Sequence, residues 1–243
     1  MRMTIVHLYP REMNLYGDRG NVLALARRAE WRGWDVSVLD VGPGDAVSWA
    51  DVDVAFIGGG EDRHQAWIAE DLVSRRDGLA AALADGLPLL AVCGGFQLLG
   101  REYEAQDGRV LPGVGWFDAT TRAGVHGRHV GNVIAVATLP LEPSTLVGFE
   151  NHAGETALHA GQAPLARVTT GAGNNGRDGT EGAVRLHAVG TYLHGSLLPK
   201  NPHLADWLLA QAQVRRTGVS DLPPLQDDCE WAAHRERLAH PRV

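Results

Sequence analysis

Over the first hundred residues, short apolar runs alternate with stretches in which apolar residues recur at helical spacing. Residues 3–9 (MTIVHLY) read as a first strand. Val22, Leu25, Ala26 and Ala29 fall at i, i+3, i+4 and i+7, which predicts a helix that Asp18 can cap and Gly33 ends. Residues 35–40 (DVSVLD) alternate as a strand does, and residues 52–57 (VDVAFI) form a third strand closed by Gly58, Gly59 and Gly60. Ile68, Leu72, Leu79 and Leu83 mark one face of a second helix. Residues 88–92 (PLLAV) then run into Cys93-Gly94-Gly95 and a short apolar helix around Phe96 to Leu99. Strands separated by helical stretches predict parallel pairing with right-handed crossovers, an α/β fold. Ligands of such sheets lie at the carboxyl ends of the strands. The triple glycine and Cys93-Gly94 both fall at such ends, on one rim.

The second half is β-rich and punctuated by glycine. Residues 130–137, 146–149 and 165–169 read as short strands, and 171–182 (GAGNNGRDGTEG) as a polar loop or hairpin tip. Residues 188–193 (AVGTYL) return as a buried strand that delivers His194. Pro202 opens a helix through Gln213, with Leu204, Trp207, Leu208 and Gln211 at helical spacing. No internal repeat and no interdomain linker divide the chain. Residues 1–215 are therefore expected as one domain, with 216–243 a loosely attached tail carrying a short helix near 229–238.

Composition narrows the functional classes. The 243 residues are 44% hydrophobic and 21% charged, ordinary globular proportions. The formal net charge of −7 provides no general basic field for nucleic acid or anionic lipid. No apolar run approaches the roughly 18 residues of a membrane span, and the N-terminus is too short in apolar character for a signal peptide. Two cysteines, Cys93 and Cys229, argue against a disulfide framework and for a reducing, cytoplasmic setting. They are too few for a cysteine-rich zinc site, and the eleven histidines lack metal-ligand spacing, so no metal is expected.

Residues 89–99 (LLAVCGGFQLL) bring a strand into a helix with one nucleophilic side chain at the junction. That is the arrangement of a nucleophile elbow. A strained turn requires small neighbours, and Ala91, Gly94 and Gly95 provide them. The helix directs its positive end at the sulfur, which favours the thiolate, and the Gly94 N–H can meet a developing oxyanion. The bland alternative is a buried, inert cysteine in a tight turn. A thiol nucleophile needs a base. His194, at a strand carboxyl end, is the first candidate, with His64, His152 and His187 as competitors. The triple glycine is either an ordinary strand-to-helix turn or a second oxyanion donor. No Lys-Ser/Thr follows it, so it is not a phosphate loop. Arg128 could hold a carboxylate in bidentate fashion or simply lie in solvent. Glu150 and His152, between Gly148 and Gly154, could wall a site or shape a turn.

Together these residues resemble the class I glutamine amidotransferases. Cys93-x-Gly95-x-Gln97-x-Leu99 after an apolar strand is similar to the family's nucleophile motif. The turn Gly58–Gly60 and Thr191-Tyr192-Leu193-His194-Gly195 match two further blocks in order. Gly148-Phe149-Glu150-x-His152-x-Gly154 and Tyr192-x-His194-Gly195 resemble the cobyric-acid-synthase-like branch. Leu8-Tyr9-Pro10 and the block from Asn14 through Leu15, Tyr16, Gly17, Asp18, Arg19 and Gly20 to Asn21 resemble the glutaminase subunits of lipid II isoglutaminyl synthases. The resemblance covers residues 3–213. It implies a flavodoxin-like, mostly parallel sheet flanked by helices, with a β-rich C-terminal half. It implies catalysis by Cys93 and His194, an oxyanion hole at Gly60 and Gly94, and glutamine held by Arg128 and Gln97, with Glu150 and His152 nearby. It also implies no cofactor in this subunit. ATP and Mg would belong to a Mur-ligase-like partner, MurT, which amidates the D-glutamate α-carboxylate of lipid II with the ammonia released.

One departure bears on the chemistry. The family commonly carries His-x-Glu, the Glu orienting the imidazole, and here Ser196 takes that place. The expected acid is then one supplied by the partner, or Glu150 or Glu155 in cis. Three rivals remain: the amidotransferase of a cobyrinate-type synthetase, a cysteine peptidase with a similar elbow, and a binding module without activity. The peptidase family places histidine directly after cysteine, where this chain has Gly94. The missing Glu favours a binding module, and the intact Cys93, Gln97 and His194 disfavour it.

Overall fold

The computed structural model describes residues 1–241 except 16, 61, 106, 125, 126 and 195, and leaves out the side chains of 62–66. Tyr16, Gly195 and the His64 side chain, singled out above, lie outside the described residues. The first half alternates as β1 (Arg2–Leu8), α1 (Arg19–Glu30), β2 (Asp35–Val41), β3 (Val54–Ile57), α2 (Asp62–Ser74), α3 (Arg76–Ala84), β4 (Leu89–Val92) and α4 (Gly94–Leu99). Strands then dominate: β5 (Glu102–Glu104), β6 (Val110–Pro112), β7 (Ala119–Ala123), β8 (His129–Ala137), β9 (Thr145–His152), β10 (Gly154–Leu158), β11 (Ala166–Thr170), β12 (Thr180–Glu181), β13 (Ala183–Arg185) and β14 (Ala188–Thr191). The chain closes with α5 (Leu197–Lys200), α6 (Pro202–Thr217) and α7 (Asp228–Ala239).

The main sheet has the order β13-β14-β4-β3-β1-β2, parallel throughout except where β13 meets β14. From β1 the chain steps outward to β2 and then back across to β3, so the topology reverses between β1 and β3. Such a switch point is where sheets of this order open a ligand crevice. β3, β4 and β14 are buried along their whole length, as the unbroken apolar runs require of strands covered on both faces. Their register sets Ile57 beside Leu8 and Ala91, and Val92 beside Thr191. Four carboxyl ends therefore finish at nearly one level, and the segments leaving them meet. Two four-stranded sheets, β10-β7-β5-β6 and β12-β11-β8-β9, make up the β-rich second half.

Two local expectations are corrected. The single helix expected through Ile68 and Leu83 is two, α2 and α3, separated at Arg75. There the Ser74 hydroxyl and the Arg75 N–H turn back onto the carbonyls of Asp71 and Leu72, which ends the α-helical ladder. The segment expected to be a loose tail is instead anchored at α7. Arg28 of α1, 3% exposed, grips Asp227 at the start of α7 and Asp206 of α6 with paired bonds of 2.6–2.7 Å. His234 of α7 bonds the Lys200 carbonyl at 2.7 Å and the Thr145 hydroxyl at 2.8 Å.

Candidate active site

Cys93 sits between β4 and α4 with φ +50° and ψ −106°, a region that L-residues rarely occupy. Such a conformation costs about 1–3 kcal/mol and persists only where its surroundings enforce it. The enforcement is visible. The Cys93 N–H donates to the Thr191 carbonyl at 2.8 Å, and the Cys93 carbonyl accepts from the Gln97 N–H at 3.0 Å. Gly95 has no room for a side chain, because a Cβ there would stand 2.8 Å from the Ile57 carbonyl oxygen. Gly94 opens α4, and its N–H has no acceptor within the helix.

His194 follows β14 and is fully buried. Its backbone is pinned by reciprocal bonds with Phe149 of β9. Its Nδ1 lies 3.1 Å from Asp18 Oδ1, and the other Asp18 oxygen accepts the Gly59 N–H at 2.7 Å. With Nδ1–H donating to Asp18, the Nε2 lone pair is the one available to a thiol. Gly59 permits the approach. A Cβ on it would fall 2.9 Å from His194 Cε1 and 3.3 Å from Cys93 Cβ. Burial alone would lower the His194 pKa. The Cys93 charge, the Asp18 hydrogen bond and the Asp18 charge outweigh it and raise the value to about 10. The site therefore favours the imidazolium form of His194.

Asp18 is the residue that sequence reasoning cast as a helix cap. Its backbone is already helical, φ −56° and ψ −29°, and its side chain makes no capping bond. A capping oxygen reaches the first-turn N–H groups from an extended backbone, which Asp18 lacks. The Arg19 N–H is met by Asn14 Oδ1 instead, at 2.8 Å. Asp18, 0% exposed, is freed for the imidazole. The signal that could have found it is positional: an acid in the segment leaving the first strand, at the switch point. Ser196, where the family commonly has Glu, turns its hydroxyl to the Gly17 carbonyl at 2.9 Å and packs on Gly20. The base segment is thereby stapled to the segment carrying the acid. The other candidate acids are engaged elsewhere. Glu150 accepts the N–H groups of Ala172 and Gly173 at 2.7 and 2.8 Å, and Glu155 pairs with Arg177 at 2.7 Å.

Of the competing histidines, His187 bonds the Gly86 carbonyl ahead of β14. His152 stacks on Tyr192, centroids 3.7 Å apart, and bonds the Gly154 carbonyl. Its Nε2 lies 3.7 Å from Glu150. Tyr192 links this pair to the elbow, since its hydroxyl takes the Gln97 amide N–H at 3.1 Å and bonds Thr156 at 2.7 Å. Arg128 is exposed and donates to Asn151 at 2.5 Å, two residues along β9 from Phe149. Within the triple glycine, the Gly59 N–H is committed to Asp18. Gly60 packs against Met13.

A strained strand-end thiol, a buried imidazole and a buried carboxylate in sequence, on the carboxyl rim of a parallel sheet, make an arrangement with the parts that thiol-based acyl transfer needs. Residues 4–202 match the CobB/CobQ-like glutamine amidotransferase domain, and the chain belongs to that family. Two relatives are subunits named GatD of the glutamine-hydrolysing lipid II isoglutaminyl synthase. The Staphylococcus aureus protein is 39% identical over 88% of this chain and 86% of its own. That of Streptococcus pneumoniae is 36% identical over 93% of this chain and 86% of its own. A solved glutamine amidotransferase from Thermotoga maritima superposes with a TM-score of 0.56 over 98% of this chain and 92% of its own, at 14% identity, a likeness of fold.

Proposed function

We propose that this chain is the glutaminase half of a lipid II isoglutaminyl synthase. It hydrolyses glutamine and hands the ammonia to a Mur-ligase-like partner, MurT. The partner binds ATP and Mg, activates the α-carboxylate of the D-glutamate residue of lipid II and forms D-isoglutamine. This subunit needs no cofactor of its own, and the pair works in the cytoplasm. The observation that carries the catalytic part is the line from Cys93 through His194 to Asp18 within one chain. The similarity to GatD over most of both chains supports the substrate and the partner, and favours them over a cobyrinate-type reaction.

In the reaction, Arg128 takes the glutamine α-carboxylate, and Gln97 with Tyr192 lines the side-chain pocket beside His152 and Glu150. The Cys93 sulfur attacks the amide carbon, and the N–H groups of Gly60 and Gly94 hold the oxyanion. The imidazolium gives its proton to the departing nitrogen, so ammonia leaves and a γ-glutamyl thioester remains. His194, now neutral, takes a proton from water as the water attacks the thioester. Glutamate departs, and the thiolate and imidazolium are restored. Asp18 keeps the imidazole in one tautomer throughout.

The test is glutamate release from glutamine by this chain with and without a Mur-ligase-like partner, followed by ATP-dependent amidation of lipid II by the pair. Glutamine hydrolysis coupled to lipid II amidation is the expected result. Hydrolysis that couples only to another acceptor would assign the chain to a different synthetase.

A further inference from the structure

One buried acid near the site takes no part in the chemistry above. Glu181 of β12 is 0% exposed and belongs to the second-half sheet, yet its side chain crosses to the end of β14 in the main sheet. Its Oε1 accepts two hydrogen bonds, from the Thr191 hydroxyl at 2.5 Å and the Tyr192 N–H at 2.9 Å. The Thr191 hydroxyl in turn accepts the Leu193 N–H at 3.0 Å. The two sheets are close-packed here, because a Cβ on Gly182 would strike the Gly190 carbonyl oxygen.

The residues tied to this oxygen, Thr191 and Tyr192 directly and Leu193 through the Thr191 hydroxyl, are those that place the site. Thr191 offers the carbonyl that holds the strained Cys93 backbone. Tyr192 holds Gln97 through its hydroxyl. Leu193 precedes His194. β14 ends at Thr191, and past that point the Tyr192 N–H finds the Glu181 oxygen as its acceptor. A buried N–H must be matched, so the oxygen fixes where the segment turns from strand into site. We propose that Glu181 is a positioning residue for glutamine hydrolysis, which sets the nucleophile and the base relative to each other through Thr191 and Tyr192.

The chemistry asks for an acceptor at this point and not for a charge. Among the described residues, the second Glu181 oxygen is buried without a hydrogen-bond partner. Burial raises its carboxyl pKa to about 7, against the opposing bonds from Thr191 and Tyr192, and Glu150 adds to the rise. An amide oxygen can accept the same two bonds, so Glu181→Gln preserves the arrangement that Glu181→Ala removes.

This inference rests on the glutaminase reading, and its test separates the two. The full chain, in a Cys229→Ser background and with its ligase partner present, is assayed for glutamine kcat and KM. The rate of Cys93 alkylation by iodoacetamide is measured alongside, a readout that needs no glutamine turnover. Glu181→Ala is expected to lower kcat by about 10- to 100-fold, the scale of losing hydrogen bonds to a buried carboxyl, with KM within about threefold of wild type. Cys93 alkylation should slow in parallel, and Glu181→Gln should stay within about threefold of wild type on both readouts. Thr191→Val, which keeps the volume and deletes the hydroxyl, should lower kcat by about fivefold or more, and Thr191→Ser should restore it. These two apply even if Glu181→Ala does not fold. Wild-type kcat and alkylation rate in a folded Glu181→Ala protein, or equal losses in Thr191→Val and Thr191→Ser, would overturn the proposal. A chain that alkylates in the predicted pattern but hydrolyses no glutamine would instead count against the glutaminase reading.

Discussion

Asp18 and His194 are 176 residues apart in the chain and 3.1 Å apart in the fold, both fully buried. Their meeting follows from topology. Asp18 lies in the segment leaving β1, His194 leaves β14, and the register of the parallel sheet brings both strand ends to one rim. The chain thus carries an acid for its own imidazole, in place of the partner-supplied carboxylate that Ser196 invites one to expect.

The first prediction concerns that acid. Asp18→Asn keeps the shape but presents an amide whose N–H favours the wrong imidazole tautomer. In comparable triads this change costs about four orders of magnitude in kcat. Glutamate release by Asp18→Asn, with and without the ligase, should fall by about three to four orders. Ser196→Ala should change kcat by less than about tenfold, since its hydroxyl bonds a backbone carbonyl. An Asp18→Asn protein with wild-type turnover in the presence of the partner would return the acid to the partner.

The nucleophile is checked by Cys93→Ala and Cys93→Ser. Both should leave thermal stability nearly unchanged and reduce glutamate release below about one per cent of wild type. Cys229 is exposed on α7, and Cys229→Ser should retain full activity. Activity in Cys93→Ala would require another nucleophile.

Arg128→Ala tests the carboxylate contact. Arg128 is exposed and already bonded to Asn151, so its loss should not harm the fold. The kcat/KM for glutamine should drop roughly 10- to 100-fold, the scale of one charged hydrogen-bonding partner. Unchanged kinetics would leave Arg128 as a solvated side chain.

Much of this site was legible because the elbow is local. Ala91, Cys93, Gly94 and Gly95 are contiguous, and the steric demands of a strained junction show directly in their sizes. His194 was legible as the end of an apolar strand. Asp18 and Glu181 were not, for a shared reason. Each lies on a short polar stretch whose local rules, capping for one and a hairpin tip for the other, give complete and bland explanations. Their partners are set by sheet register, which a single sequence does not display. The break between α2 and α3 was hidden likewise, because Ile68, Leu72, Leu79 and Leu83 stay in phase across it.

The pH dependence of stability follows from His194. Its pKa is raised from 6.5 to about 10, burial being outweighed by Cys93 and Asp18. A group whose folded pKa is raised stabilises the fold fully below its unfolded pKa and loses that contribution as pH rises through the folded value. The stability that Asp18 lends the imidazolium should therefore be complete near pH 6 and fade between 6.5 and about 10. Melting temperatures of wild type and Asp18→Asn should differ most at pH 6 and converge toward pH 10. A gap that widens with pH would contradict the imidazolium assignment.

The last prediction concerns the C-terminal segment. Arg28 is nearly buried at 3% exposure, and four hydrogen bonds from its guanidinium serve the carboxylates of Asp206 and Asp227 in two-toothed fashion. Burial works against the charge, and the two acids more than restore it, so the guanidinium stays protonated. Arg32 joins the same cluster through Asp206 at 2.8 Å. Removing one member of a buried charge cluster leaves the others uncompensated and commonly costs about 3–5 kcal/mol. Asp206 is partly exposed, which moderates the penalty here. Arg28→Met should therefore cost about 2–4 kcal/mol in denaturant unfolding. It should also open the connection between α6 and α7 to limited proteolysis. Asp227→Asn should cost less, because Arg28 keeps Asp206 and Asn can still accept a bond. Neither change touches Cys93, His194 or Asp18, so glutamate release per folded molecule should stay near wild type. If Arg28→Met melted like wild type and resisted protease, α7 would be held by His234 and its neighbours alone, and the cluster would add nothing.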